Sequence, residues 1–142
     1  MPPVRMIVCE RRDVWAPALR RALGDAILLL PTRSLTECAG ELAAAPGSLV
    51  AVELTVRIAA ALAAFVGRTN DRMTPTRVIV LAERKLAEYE WWMREAGAVH
   101  FETSPRKLGV LSGLIARHAR DVVPPPASLR DRIWMRLPWG DG

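Results

Sequence analysis

The sequence predicts an α/β fold in which a parallel β-sheet is covered by helices on both faces. Three observations lead to this prediction. Short apolar runs alternate with helical segments five times between residues 4 and 121. The apolar runs are too brief for helices and are rich in valine and isoleucine, which is typical of buried strands. The chain of 142 residues with 51% hydrophobic residues is sufficient for one hydrophobic core, so we expect one domain.

Five strands are predicted, each from one of the apolar runs. Pro31 follows the second run directly and is expected to end that strand. The repeated order of strand and helix indicates βα units, and hence parallel pairing. The predicted strands cover residues 4–9, 26–30, 48–54, 77–81 and 98–102.

Five helices are predicted between and after these strands. Asp13 is a candidate N-cap for the first helix, with Pro17 tolerated early in it and Gly24 ending it. Ser34 or Thr36 is the candidate N-cap of the second helix. Residues 67–75 are predicted to be a polar loop. The predicted helices cover residues 14–23, 35–45, 56–66, 85–96 and 105–121.

Composition excludes several classes of protein. No apolar run approaches the roughly 18 to 20 residues of a membrane-spanning helix, and the first residues lack the apolar region of a secretory leader, so we expect a cytoplasmic protein. Cys9 and Cys38 form no CxxC pair, which argues against a structural zinc site or a disulfide framework. The net charge of +5 comes from arginines spread among acidic residues, so nucleic-acid binding is an alternative rather than the preferred prediction.

Residues 122–142 differ in character from the rest. Three consecutive prolines at 124–126 predict an extended linker, and apolar side chains recur beyond it at helical spacing. This tail is expected to dock on its own domain, on a second copy or on another protein, and not on a membrane. Its interface candidates are Ile133, Trp134, Leu137 and Trp139.

Three segments at the strand ends resemble one bacterial family. Residues 97–105 are similar to the fifth strand and proline turn of response-regulator receiver domains, and residues 48–54 and 78–82 to their third and fourth strands. The resemblance extends over residues 4–120. It implies a flavodoxin-like, CheY-like three-layer sandwich with strand order 2-1-3-4-5, and a role in two-component signal transduction and phosphorelay.

The residues carried over to the receiver pocket do not match its chemistry. Such domains use an acidic pair for magnesium, an aspartate that accepts phosphate, a hydroxyl and a lysine followed by a proline. Glu53 has one methylene too many for in-line phosphoryl transfer, Ala82 lacks the hydroxyl, and Ser104 lacks the cation. We therefore predict no catalytic residues and a degenerate pocket. Its residues by resemblance are Cys9, Glu10, Glu53, Ala82, Ser104 and Pro105, the last implied to be a cis proline.

A residual magnesium site is the weaker alternative at this pocket. Glu10 and Glu53 are either two acidic side chains that face solvent at the sheet edge, or weak ligands of a magnesium ion that would support some phosphate acceptance. Cys9 is interpreted as a small apolar residue that closes a buried strand, in preference to a redox-sensitive thiol. No other cofactor is expected.

Aromatic residues provide the interface candidates within the domain. Phe101 occupies the position of an aromatic that reports phosphorylation in receivers; beside Ala82 it either lies inward permanently or is ordinary core. Trp91 and Trp92 are consecutive on the fourth helix and point about a hundred degrees apart, so at least one should be exposed, with Tyr89 nearby. In receivers this helix, the fifth strand and the fifth helix form the usual contact face, which makes a homodimer through that face one candidate.

These observations favour a phosphorylation-independent signalling adaptor that binds another protein. A basic module that binds nucleic acid rests on net charge alone, without a recognition motif. An enzyme is not expected, because residues 10–13 after the first strand form no glycine-rich phosphate loop.

Overall fold

The computed structural model describes residues 2–70 and 76–122, which form a five-stranded parallel sheet between two layers of helices. The strand order is β2-β1-β3-β4-β5, so the predicted fold and order are confirmed. The strands are β1 (Val4–Cys9), β2 (Ile27–Thr32), β3 (Leu49–Glu53), β4 (Val78–Leu81) and β5 (His100–Glu102).

The five predicted helices are present, although three of them begin as 3-10 helices. These tighter segments cover Val56–Ile58, Arg84–Tyr89 and Pro105–Leu111, and each leads directly into an α-helix. The α-helices are α1 (Trp15–Leu23), α2 (Leu35–Ala44), α3 (Ala59–Asn70), α4 (Glu90–Ala96) and α5 (Ser112–Asp121).

Each face of the sheet has its own hydrophobic core, because alternate strand residues point to opposite faces. Ile7, Val50 and Val80 pack with α2, α3 and α4 on one face. Met6 and Ala51 pack with α1 and α5 on the other face. The central strands are therefore buried on both sides, which explains their continuous apolar sequences.

Two predicted elements end later than expected, for different physical reasons, and β5 begins at His100 instead of residue 98. β2 does not stop at Pro31 but continues to Thr32, because β2 is an edge strand and a proline there need not break a ladder hydrogen bond. The third helix does not stop at residue 66; it passes through Gly67 to Asn70, where Phe65, Val66 and Thr69 bury its inner side. Glycine lowers helix propensity, and packing of this inner side outweighs that cost.

The second helix has the cap that its sequence predicts. The Ser34 side chain accepts a hydrogen bond from the Glu37 backbone N–H, and the Glu37 carboxylate accepts one from the backbone N–H of Arg33. These reciprocal bonds satisfy N–H groups that a helix start leaves unpaired.

The tail candidates Ile133, Trp134, Leu137 and Trp139 lie outside the described residues, as does the proline linker at 124–126. Within residues 2–70 and 76–122, no helix is long and apolar enough to cross a membrane.

Candidate functional site

The predicted pocket residues come together at the carboxyl edge of the sheet. Cys9 pairs with Val52 at the end of β1, and Glu53 pairs with Leu81 at the end of β3. The backbone N–H of Ala82 donates to the Glu102 carbonyl, which brings the ends of β4 and β5 together. Because parallel strands end at one edge, distant sequence positions converge here as the prediction required.

Glu10 is buried and caps helix α1. Its side chain is only 2% exposed, and its two carboxylate oxygens accept three backbone hydrogen bonds. Val14 and Trp15 donate to Oε1 at 2.9 Å each, and Ala16 donates to Oε2 at 2.7 Å. The helix start leaves these N–H groups without partners inside the helix, and it favours a negative charge nearby.

This geometry corrects two sequence-based interpretations. Glu10 does not face solvent at the sheet edge, because the helix start encloses it. Asp13 is not the N-cap of α1; its carboxylate instead accepts a hydrogen bond from the Arg33 guanidinium at 3.2 Å. Glu10, which precedes the turn, caps α1 instead of Asp13.

A magnesium ion does not fit the residues at this edge. Magnesium needs carboxylate oxygens directed at one point, whereas both Glu10 oxygens are directed at backbone N–H groups. In the described part of the chain, no three histidine, cysteine, aspartate or glutamate residues are grouped so that they could hold a metal. Glu10 and Glu53 are therefore not matched ligands of one ion.

Glu53 lies half-buried between two open clefts. Burial raises the pKa of the Glu53 carboxyl, and the nearby Glu10 carboxylate raises it further. The Trp15 side chain, as a hydrogen-bond donor, and the Arg12 guanidinium act in the opposite direction. Deprotonated Glu53 is thus a destabilising charge in the folded protein.

Glu53→Gln is expected to stabilise the protein at neutral pH and to have little effect in acid. Because the folded pKa lies above the ordinary value of 4.5, the unfolded state ionises first as pH rises, and folding stability falls until the folded carboxyl has also ionised. The uncharged amide avoids this cost. The gain in folding stability is expected to be under about 1 kcal/mol, because the carboxylate is partly solvated. Urea unfolding at several pH values measures the difference. The exposed Glu88→Gln is the matched control, and a benefit of E53Q that grows toward acid pH would contradict the account.

The loop after β5 is also held by a carboxylate that the sequence interpretation missed. Glu102 Oε2 accepts hydrogen bonds from the backbone N–H groups of Thr103 and Ser104 at 3.0 Å each, and Oε1 lies 3.4 Å from His100 Nε2. The available sign of this role in the sequence was Glu102 itself, an acidic residue just before the proline turn. Ser104 therefore lies in a loop whose backbone is hydrogen-bonded to the Glu102 carboxylate.

The implied cis proline is wrong. No peptide bond in the described part of the chain is cis, so the Ser104–Pro105 bond is trans. Pro105 instead starts the 3-10 helix of Pro105–Leu111, a position that suits its fixed φ and missing N–H. The Ser104 hydroxyl caps this segment by accepting from the Arg106 N–H at 3.3 Å.

The remaining pocket positions are core residues. Ala82 is fully buried, and Phe101 is buried in the same hydrophobic cluster, so the ring lies inward. Cys9 belongs to this cluster as well, and burial raises the pKa of its thiol. A buried thiol that resists ionisation suits the apolar role expected of Cys9.

Three aromatic residues before and within α4, Tyr89, Trp91 and Trp92, are here called the α4 patch; the tryptophans are exposed, and Tyr89 is partly buried against the core. Trp91 is 74% exposed and Trp92 is 40% exposed, as the helical geometry predicted. Tyr89 stacks on Trp92 with ring centroids 6.0 Å apart, while Met93 next to them is fully buried. The helix therefore places its apolar stripe in the core and two tryptophans outside it.

Comparisons with known proteins identify the architecture. No protein family model matches the chain, and no curated protein matches it. Among solved structures, an atypical orphan response regulator is similar with a TM-score of 0.65 at 21% identity, over 82% of this chain and 96% of that one. The CheY-like protein TadZ from Pseudomonas aeruginosa has a TM-score of 0.66 at 19% identity, over 81% and 98%.

This chain has the receiver fold. A response regulator from Thermotoga maritima is similar over 83% of this chain and 98% of its own length, with a TM-score of 0.65 at 18% identity. At such identities the similarity concerns the fold, and the activity must be argued from the site.

Proposed function

We propose that this chain is a receiver-like signalling domain that works by binding a protein partner, without phosphorylation. The observation that carries the proposal is the capping role of Glu10. A receiver needs an acidic side chain there to hold a metal ion, and here that carboxylate already accepts three backbone hydrogen bonds. The turn between β1 and α1 is therefore held by a side chain of the protein and not by a metal ion.

The other pocket residues support the same proposal. Glu53 reaches further than an aspartate, the buried Ala82 has no hydroxyl for a phosphoryl oxygen, and Ser104 uses its hydroxyl to cap the following helix. One structural neighbour is an atypical orphan response regulator whose structure is described as showing a phosphorylation-independent regulatory mechanism. That description concerns the neighbour; the residues named here extend the idea to this chain.

The α4 patch is the proposed contact surface. Exposed tryptophans are favoured anchors of protein interfaces, because they bury a large area at a small cost in side-chain entropy. Val99, just before β5, and Val110, just before α5, are also exposed apolar residues. A second copy of the chain and a different protein are both compatible with this face.

A phosphodonor experiment tests the first half of the proposal. The purified protein, incubated with acetyl phosphate and magnesium, is expected to incorporate no acid-labile phosphate by intact mass spectrometry. A receiver with a functional aspartate serves as the positive control. Stoichiometric labelling of Glu53 would refute phosphorylation independence.

A matched pair of substitutions tests the second half. Trp91→Ala is expected to weaken partner capture, or self-association measured by sedimentation, by roughly tenfold or more, as for an interface anchor. Leu28→Ala is the control, since Leu28 is 57% exposed on the opposite edge of the sheet. Equal binding by both variants would place the contact surface elsewhere.

A further inference from the structure

The two clefts beside Glu53 are parts of one surface depression. One cleft of about 500 Å³ lies toward β4, and the other of about 330 Å³ lies toward β2. Both are lined by Arg11, Glu53 and Thr55, so the two clefts adjoin at the ends of β1 and β3, and together they are called the depression. Its cationic lining residues are Arg11, Arg12, Arg33, Arg57 and Lys85.

The carboxylates in this lining leave part of the positive charge unbalanced. Glu10 is engaged with backbone N–H groups. Glu83 is shared between Arg12 at 3.4 Å and Lys85 at 3.2 Å, one cation on each oxygen. Within residues 2–70 and 76–122, the guanidinium groups of Arg11 and Arg57 have no carboxylate partner within 4.0 Å. In a pocket that resembles a magnesium site by position, five cationic residues thus outnumber the three carboxylates Glu10, Glu53 and Glu83.

The location is one where α/β proteins bind ligands. The strand order reverses between β1 and β3, because β2 lies on one side of β1 and β3 on the other. At such a switch point the loops after the strands separate and open a crevice at the carboxyl edge. The crevice here has Arg11 on the β1 side and Arg57 on the β3 side.

We propose that this depression is a noncovalent binding site for a phosphorylated small molecule, held between Arg11 and Arg57. The planar guanidinium presents paired donors that match phosphate oxygens. Val56 lines the cleft beside the cations and is 65% exposed, which gives a ring system an apolar surface to lie on, whereas the neighbouring Leu54 and Leu86 are buried. A nucleotide combines such a ring with a phosphate, and it is the class of ligand proposed for this site. The site does not depend on the proposed partner binding, and either can fail alone.

Glu53 provides a signature that distinguishes this site from general attraction to a basic surface. Its carboxylate lies between the two clefts, so it repels a bound phosphate while it is ionised. Glu53→Gln should therefore bind more tightly, and the wild-type affinity should rise as pH falls toward the pKa of Glu53. The phosphate also gains protons in this pH range, so the diagnostic quantity is the difference between wild type and Glu53→Gln, which should shrink as pH falls. Glu88→Gln removes an equal charge outside the two clefts and controls for the change in net charge.

Isothermal titration calorimetry of the full chain with adenosine monophosphate, inorganic pyrophosphate and uncharged adenosine tests the proposal. We expect binding of the two anions and not of adenosine, about tenfold weaker in Arg57→Ala and in Arg11→Ala, and several-fold tighter in Glu53→Gln. Arg20→Ala is the control, because Arg20 is exposed at the last turn of α1, away from the carboxyl edge. Absence of anion binding, or an equal loss in Arg20→Ala, would overturn the site. Pyrophosphate binding without adenosine monophosphate binding would overturn the nucleotide class.

Discussion

Glu10→Ala is expected to lower the free energy of unfolding by about 3 kcal/mol. The substitution leaves the N–H groups of Trp15 and Ala16 without acceptors, and both of these hydrogen bonds are buried. The Val14 N–H keeps a second acceptor, the Arg12 carbonyl at 2.9 Å. A buried donor that loses its partner costs more than a lost surface contact, and the negative charge at the helix start is lost as well. Urea unfolding followed by circular dichroism measures the change.

Two further variants make this expectation specific. Glu10→Gln retains a carbonyl oxygen in the same place and should have an intermediate effect. Glu41→Ala removes a partly exposed glutamate that pairs with Arg5 at 3.4 Å, and it should cost under about 1 kcal/mol. If Glu10→Ala proves as mild as Glu41→Ala, the cap does not hold the β1–α1 corner, and the argument against a metal ligand there fails.

Phe101→Ala is expected to destabilise the protein by about 3 to 4 kcal/mol. The ring is buried in the core cluster shared by β3, β4, α3 and α4, so its removal leaves a cavity. Because β5 lies at the edge of the sheet, this ring is a main attachment of β5 to the core. Val110→Ala, at an exposed apolar position, is the matched control and should be nearly neutral.

Ala82→Thr tests the packing around Phe101 by adding atoms at another position of the same core cluster. Ala82 is fully buried, and added atoms there should cost about 1 to 3 kcal/mol through overpacking. A neutral Ala82→Thr would mean that the space expected to be filled by Phe101 is available. In that case the inward position of the ring would not be permanent.

The fold was predictable because its determinants are local and repeated. The valine- and isoleucine-rich runs, their length and their alternation with helices recur five times, so an error at one boundary does not alter the topology. The errors at Pro31 and Gly67 show the limit of this approach. Residue propensity indicates where an element is weakened, whereas an edge position or a buried helix face decides whether it ends there.

The site was predictable in position and less so in role. Parallel strands bring their carboxyl ends together, which placed Glu10 and Glu53 at one edge correctly. Whether a carboxylate there faces solvent, a metal or the protein backbone depends on the path of the next few residues. Glu10 and Glu102 both bond to backbone N–H groups of the chain that follows, and one sequence does not reveal that path. Pro105 illustrates the same limit, since the residue type permits both peptide isomers.

The proline within β2 has a consequence for self-association. The Thr32 carbonyl faces the β1 side, where it accepts a hydrogen bond from the Glu10 backbone N–H. Because successive residues of a strand direct their backbone groups to opposite sides, those of Pro31 face the open edge of the sheet. An edge with a missing donor is a poor template for a further strand. Intermolecular β-sheet extension and cross-β aggregation are thereby disfavoured along the β2 edge of the sheet.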